Sequence, residues 1–333
     1  MTGRTGLEGF GPSVRYAVVA KSVHGIEDTL VAIWILNRQR RLGIDAYRHP
    51  QFLTTVGELA QEYLDPDLRI VDATVFLQLG ENGYRVESGW ETYCAGHIPG
   101  AAFMDLIQAF SDTSTGLGFS RLGPEALAEA LGALGISPGH RVVIYSSGHV
   151  MWATRAWWLL RYAGHEDVAV LDGGLEAWLA ANQPVATDRP SWPPQTYRAS
   201  PRPELFVDKD EVARSMSASD VCTINALSPE VYAGTGAMHY GRRGHIPGSL
   251  NLHYDALLEN GCFKSAPALR DELQAQGLLD AKRVIAYCGG GISATVDGFA
   301  CQLLGQEAVA VYDGSMAEWV RDASMPLTTG AKP

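Results

Sequence analysis

The sequence Tyr287-Cys288-Gly289-Gly290-Gly291-Ile292-Ser293-Ala294-Thr295 joins two segments of different periodicity. Before it, Arg283-Val284-Ile285-Ala286-Tyr287 is a short apolar run of the kind that forms a buried parallel strand. After it, Ile292, Val296, Phe299, Ala300, Leu303 and Leu304 recur at helical spacing, and Gly305 follows as a stop. Cys288 therefore falls at a strand end, on a glycine loop that opens a helix. Successive glycines let the chain curl until several N–H groups point at one anion-sized spot. The helix N-terminus adds roughly half a positive charge there. Such a setting favours a thiolate, the nucleophilic form of cysteine. A lone cysteine is ordinarily a small, inert core residue. The glycines argue against that here, because a structural thiol does not require such a loop.

A chain of 333 residues is long enough for two domains with proper cores. Hydrophobic residues at 46% and charged residues at 19% describe an ordinary globular protein. The formal net charge of -11 argues against general nucleic-acid binding, which relies on basic surface. Cys94, Cys222, Cys262, Cys288 and Cys301 are scattered without a Cys-x-x-Cys pair, so neither a disulfide framework nor a zinc site is expected. A reducing cytoplasm fits that usage and keeps Cys288 available. The apolar run Leu30 to Leu36 is too short to span a bilayer, and the basic segment Asn37 to Arg41 follows it instead of a cleavage site. Residues 1–48 read as an extension, either a helix added to the first domain or translated sequence upstream of the usual start.

Internal repeats set the organisation. Gly96-His97-Ile98-Pro99-Gly100 returns as Gly244-His245-Ile246-Pro247-Gly248, and Arg141 to Tyr145 returns as Arg283 to Tyr287. Val168 to Gly173 returns as Val309 to Gly314, with Trp178 and Trp319 at matching distance. The offsets are 148, 142 and 141, so only loop lengths differ. In the first copy Leu68 to Asp72, Val142 to Tyr145 and Val168 to Leu171 read as strands, and Pro124 to Leu134 and Trp152 to Tyr162 as helices. Alternation of this kind gives an α/β fold, a mostly parallel sheet with helices on both faces, here twice in tandem. The expected domains are 49–182 and 206–330. The stretch 183–205, rich in proline, reads as a semi-rigid linker along the surface.

The paired Gly-His-Ile-Pro-Gly turns, the Cys loop and the strands ending in Asp-Gly near a Trp resemble the tandem-domain rhodaneses, the thiosulfate and 3-mercaptopyruvate sulfurtransferases. The resemblance covers about residues 52 to 330. It implies two α/β domains with the active site in a cleft between them and the nucleophile in the second domain only. It also implies a double displacement without a cofactor or metal, in which Cys288 takes a sulfur from a small donor and a thiophilic acceptor removes it. A non-turnover persulfide carrier is the alternative. A cytoplasmic monomer acting on small molecules, with no membrane or nucleic-acid partner, is the expectation.

Ser146-Ser147-Gly148-His149-Val150-Met151 aligns with the Cys288 loop, the first copy being one residue longer. Ser146 lacks the polarisable sulfur that accepts a sulfane atom, so the first copy is read as a scaffold. His97 and His245 occupy equivalent turns, one in the copy without a nucleophile, which points to a structural task. Trp152, Trp157 and Trp158 read as core and interdomain packing, and the other four cysteines as structural. The expected cradle is the N–H groups of Gly289, Gly290, Gly291, Ile292 and Ser293, with the Ser293 hydroxyl either a further donor or a helix cap.

Donor choice is where the pattern departs from the family. Thiosulfate enzymes often carry basic residues just after the Cys, and mercaptopyruvate enzymes a Ser where this chain has Gly290. The family Arg at the end of the first strand of domain two is replaced in Asn225-Ala226-Leu227. Arg242 and Arg243 are the candidates to take its place, against the alternative of a solvated basic pair. Thiosulfate is the favoured donor and 3-mercaptopyruvate the other. Phosphatase chemistry in this fold needs an Arg six residues after the Cys, where this chain has Ala294. A phosphate-binding P-loop needs a Lys after the glycines, which is also absent.

Overall fold

The computed structural model describes residues 46–80 and 83–333. The first domain runs β1 (Leu53–Thr54), α1 (Val56–Glu62), β2 (Leu68–Asp72), the hairpin β3 (Val75–Gly80) and β4 (Gly83–Ser88), α2 (Trp90–Ala95), β5 (Ala102–Phe103), α3 (Pro124–Ala133), β6 (Arg141–Tyr145), α4 (Met151–Tyr162), β7 (Val168–Leu171) and α5 (Gly174–Ala180). The second runs β8 (Phe206–Val207), α6 (Lys209–Ser215), β9 (Val221–Asn225), α7 (Pro229–Tyr232), β10 (Leu250–Asn251), β11 (Leu258–Glu259), β12 (Cys262–Phe263), α8 (Ala266–Ala275), β13 (Arg283–Tyr287), α9 (Ala294–Leu303), β14 (Val309–Tyr312) and α10 (Ser315–Trp319).

Both main sheets are parallel and share one order: β1-β7-β6-β2-β5 in the first, β8-β14-β13-β9-β10 in the second. The alternation expected from the repeats is therefore present strand for strand. Successive residues of a strand face opposite sides. Val143 and Tyr145 pack outward with Trp178, as Ile285 and Tyr287 do with Trp319. Val142 and Ile144, and likewise Val284 and Ala286, face inward and belong to one apolar core continuous through both domains.

Helices α4 and α9 carry that shared core. Trp152, Trp157 and Trp158 are at most 1% exposed, and α9 is buried along its whole length, the pattern of a helix enclosed on all sides. Trp157 meets Phe299 edge-on at 4.9 Å, and a side chain on Gly298 would strike the Trp158 ring. Thr154 and Thr295, separated by the repeat offset of 141 residues, share a hydrogen bond of 2.8 Å. The resemblance implied a cleft between the domains; what lies at the centre is packed side chains, and the sites lie to either side of it.

The stretch 183–205 is hydrogen-bonded along the first domain. Gln195 N–H donates to Gly132 O (2.8 Å), Ser200 N–H to Ala163 O (3.0 Å) and Arg202 N–H to Tyr162 O (2.9 Å). It thus bonds carbonyls at the carboxyl ends of α3 and α4, where helices run out of donors of their own. Residues 1–45, including the Leu30 to Leu36 run, lie outside the described residues. The last residues of the expected extension are part of the fold. Arg48 N–H bonds Leu303 O at 2.7 Å and the Tyr47 hydroxyl bonds Lys264 O, both in the second domain. Among the described residues no helix is long and apolar enough to cross a membrane.

Candidate active site

Cys288 follows β13 directly and is 2% exposed. Its N–H donates to the Ser315 hydroxyl (3.1 Å), which in turn donates to Tyr312 O (2.7 Å). Cys288 O accepts from Met316 N–H at 3.0 Å and Gly289 O from Ala317 N–H at 2.8 Å. The turn after β14 therefore clamps the start of the loop. Beyond it, the N–H groups of Gly289, Gly290, Gly291, Ile292 and Ser293 have no acceptor among the described residues. Buried N–H groups are almost always paired, so a row of free ones beside a sulfur is an arrangement for binding negative charge. Gly291 has φ +76°, and a side chain there would run into Asp313 O. Ser293 precedes α9 but makes no capping bond with its side chain.

Helix α4 of the first domain supplies a group that the sequence reading missed. Arg155 is 1% exposed, donates to Gly291 O (3.2 Å) and to Phe119 O, and lies 2.7 Å from Asp313 Oδ1 as an ion pair. Arg121 N–H donates to Asp313 Oδ2 at 2.8 Å. The first-domain segment Gly118 to Arg121 thus lies against the Cys288 loop, with Gly118 O the nearest atom to a side chain built on Gly290. The second copy of this contact is Phe263 N–H donating to Asp172 Oδ1 at 2.9 Å. The two Asp-Gly pairs were legible only as turns; each aspartate also ties down a segment of the opposite domain.

Asp297, in the first turn of α9, is fully buried, and neither carboxylate oxygen has a hydrogen-bond partner among the described residues. Burial, reinforced by the negative charge that Cys288 can carry, holds its carboxyl protonated well above the usual range. Burial likewise pushes Cys222, Cys262 and Cys301 up, away from the reactive form.

Ser146 donates to His149 O at 2.8 Å, while the His149 ring accepts from Met151 N–H and meets Asp255 at 3.1 Å. The two side chains do not form a nucleophile–base pair. His97 and His245 are fully buried, stacked on Tyr93 and Tyr232, and bonded through Nδ1 to the main-chain oxygens of those tyrosines. Burial lowers the His245 pKa.

Arg242 spends its guanidinium on Val320 O (3.1 Å) and Asp322 O (2.7 Å), beyond the end of α10. Arg243 is exposed and bonds Gly236 O. Both line a narrow cleft with Leu227, Tyr240 and Met316, beside the Cys288 loop. A side chain at position 289 would lie 1.9 Å from the Tyr240 hydroxyl. Tyr240 therefore fills the space that a basic residue directly after the Cys would need.

The rhodanese-like domain model matches residues 55–181 and again 209–322. The chain belongs to the rhodanese family. The 3-mercaptopyruvate sulfurtransferase of Escherichia coli (strain K12) is 31% identical over 277 residues, covering 81% of this chain and 95% of that one. The thiosulfate sulfurtransferase of Corynebacterium glutamicum is 34% identical over 291 residues, covering 81% and 93%. The crystal structure of SseA from Escherichia coli, a 3-mercaptopyruvate sulfurtransferase with the rhodanese fold, superimposes with a TM-score of 0.71 at 30% identity. It covers 79% of this chain and 98% of that one. This rhodanese is thus a sulfurtransferase built from two tandem domains.

Proposed function

We propose that the protein moves a sulfane sulfur from a small anionic donor, thiosulfate first, through a Cys288 persulfide to a thiophilic acceptor such as cyanide or a thiol. The observation that carries this reading is the row of N–H groups from Gly289 to Ser293 without an acceptor among the described residues, directly after a buried cysteine. The Cys288 sulfur attacks the outer sulfur of thiosulfate. A new S–S bond forms, the S–S bond of the donor breaks, and sulfite leaves with the electron pair. Cyanide then attacks the terminal sulfur, thiocyanate departs, and the Cys288 thiolate returns. The free N–H groups hold the negative terminal sulfur between the two steps, with the Ser293 hydroxyl as a further donor. The second domain carries the chemistry and the first is its scaffold.

We take Arg243 as the donor cation, since it is exposed and bonds one main-chain carbonyl, whereas Arg242 is half-buried and bonds several. Losing a charge-assisted contact is worth about 1.5–3 kcal/mol, roughly ten- to a hundred-fold in affinity. Arg243→Ala should therefore raise the thiosulfate KM at least several-fold, and Arg242→Ala less. Mercaptopyruvate is the second reading, favoured by the room at Gly290, where the nearest atom to an added side chain is 3.9 Å away. Gly290→Ser restores the residue common in mercaptopyruvate enzymes without a clash.

Steady-state transfer to cyanide with each donor decides between them. Faster turnover of mercaptopyruvate by the parent, or no effect of either arginine, replaces the thiosulfate assignment. Persulfide formation without turnover makes the protein a carrier. Thiocyanate release retained by Cys288→Ser removes the nucleophile assignment altogether.

A further inference from the structure

The loop after β6 matches the Cys288 loop in position, yet four of its N–H groups are taken within the first domain. Ser147 N–H donates to the Thr74 hydroxyl (2.9 Å), His149 N–H to Ser147 O (3.0 Å) and Met151 N–H to His149 Nδ1 (3.0 Å). Gly148 N–H donates to Glu176 Oε1 at 2.8 Å. Glu176 comes from the first turn of α5 and lines a cavity of about 680 Å³ over this loop, with Ser146, His149, Asp255 and Asn260. Its counterpart, 141 residues on, is Ala317, whose side chain carries no charge. The same place relative to the loop thus holds a carboxylate in one copy and no charge in the other. No Lys or Arg lines the cavity among the described residues, and Asp255 adds a second negative charge at its rim.

We propose that Glu176 is a built-in anion that occupies the first domain's vestigial donor site and excludes anionic sulfur donors from it, so that sulfur is loaded at Cys288 alone. This rests on reading the Cys288 loop as the donor site. A carboxylate already bonded to the loop takes an N–H group that a donor would use, and its charge repels a second anion in the same cavity. The loss of the nucleophile at Ser146 and the carboxylate at Glu176 are then two separate locks on one site.

The test places a thiol in the first domain with Ser146→Cys, in a Cys288→Ser background, and compares Glu176 with Glu176→Gln and Glu176→Ala. Each protein is incubated with thiosulfate and, separately, with mercaptopyruvate, and sulfur gained per chain is read by intact mass with peptide mapping. With thiosulfate the introduced thiolate would attack the outer sulfur and sulfite would leave, as at Cys288. Sulfur loading at least ten-fold faster in Glu176→Ala than with Glu176 present, and intermediate in Glu176→Gln, is the expected result. The ratio of alkylation rates by iodoacetate and iodoacetamide at the introduced thiol should rise by a similar factor, since only the first reagent is an anion. Glu176→Ala with Cys288 intact should keep the parent transfer rate, which also reports on the fold. Loading that is equal with and without the carboxylate, together with an unchanged alkylation ratio, overturns the proposal. Failure of the parent to load Cys288 overturns the proposed function instead, and the alkylation ratio still decides the role of Glu176.

Discussion

Asp297 shows how a single side chain can be tuned by its surroundings without touching solvent. A carboxyl with no partner among the described residues and no exposure stays protonated, because an unpaired charge in that place would be far more costly than a neutral acid. The sign of the pH effect follows. Below about pH 4 the folded and unfolded chains both carry this proton, and above it only the unfolded chain releases it. The native state therefore loses stability from this residue as pH rises towards the raised folded pKa. Asp297→Asn should raise the melting temperature at pH 8 by several degrees and hardly change it at pH 4.5, with each kcal/mol moving the midpoint about 2–4 °C. Thermal melts across that range check it. A gain independent of pH, or a loss at pH 8, would show that the carboxyl has a bonded role that its surroundings do not reveal.

The turn that leads from β14 into α10 has its own balance of strain and bonding. Ser315 sits at φ +48°, a region that non-glycine residues rarely adopt, and the equivalent residue of the first domain is Gly174 at φ +59°. The second domain has a side chain where glycine would be easier, and that side chain holds Cys288 N–H and Tyr312 O. Strain of this kind is about 1–3 kcal/mol and gathers at functional sites. Ser315→Ala keeps the strain and loses both bonds, whereas Ser315→Gly loses the bonds and relieves the strain. The melting temperatures should rank Ser above Gly above Ala, while both variants lose about ten-fold in kcat because the start of the Cys288 loop is no longer fixed. Parent-level kcat in Ser315→Gly would show that the Met316 and Ala317 N–H groups suffice to position the loop.

At the scale of the molecule, the Cys288 loop is shaped by the first domain. Arg155 reaches from α4 to Gly291 O and Asp313, so each domain is part of the other's site. Breaking a buried pair by removing one partner is worth about 3–5 kcal/mol, because the remaining charge is left without compensation. Arg155→Met should be destabilised by that amount in denaturant unfolding. Arg155→Met/Asp313→Asn should recover much of the stability without recovering transfer, since Gly291 O still lacks its donor. Recovery of activity along with stability would reduce Arg155 to an interdomain tie.

The sequence by itself determined the duplication and the parallel α/β architecture, and it pointed to Cys288 rather than Ser146 as the proposed nucleophile. Each of these is written in local order: a period-two apolar run, a glycine loop, a helical spacing, then the same series again with serine for cysteine. The tertiary structure alone decided what surrounds the sulfur. Arg155 and Gly118 to Arg121 come from the other domain, Tyr240 and Ser315 from distant turns, and Glu176 plugs a loop it follows by almost thirty residues. Arg242, a plausible donor ligand by position, turns out to bond carbonyls beyond α10. Local pattern cannot report such contacts, because hydrogen bonds and ion pairs act over a few ångströms of space, whatever the distance along the chain.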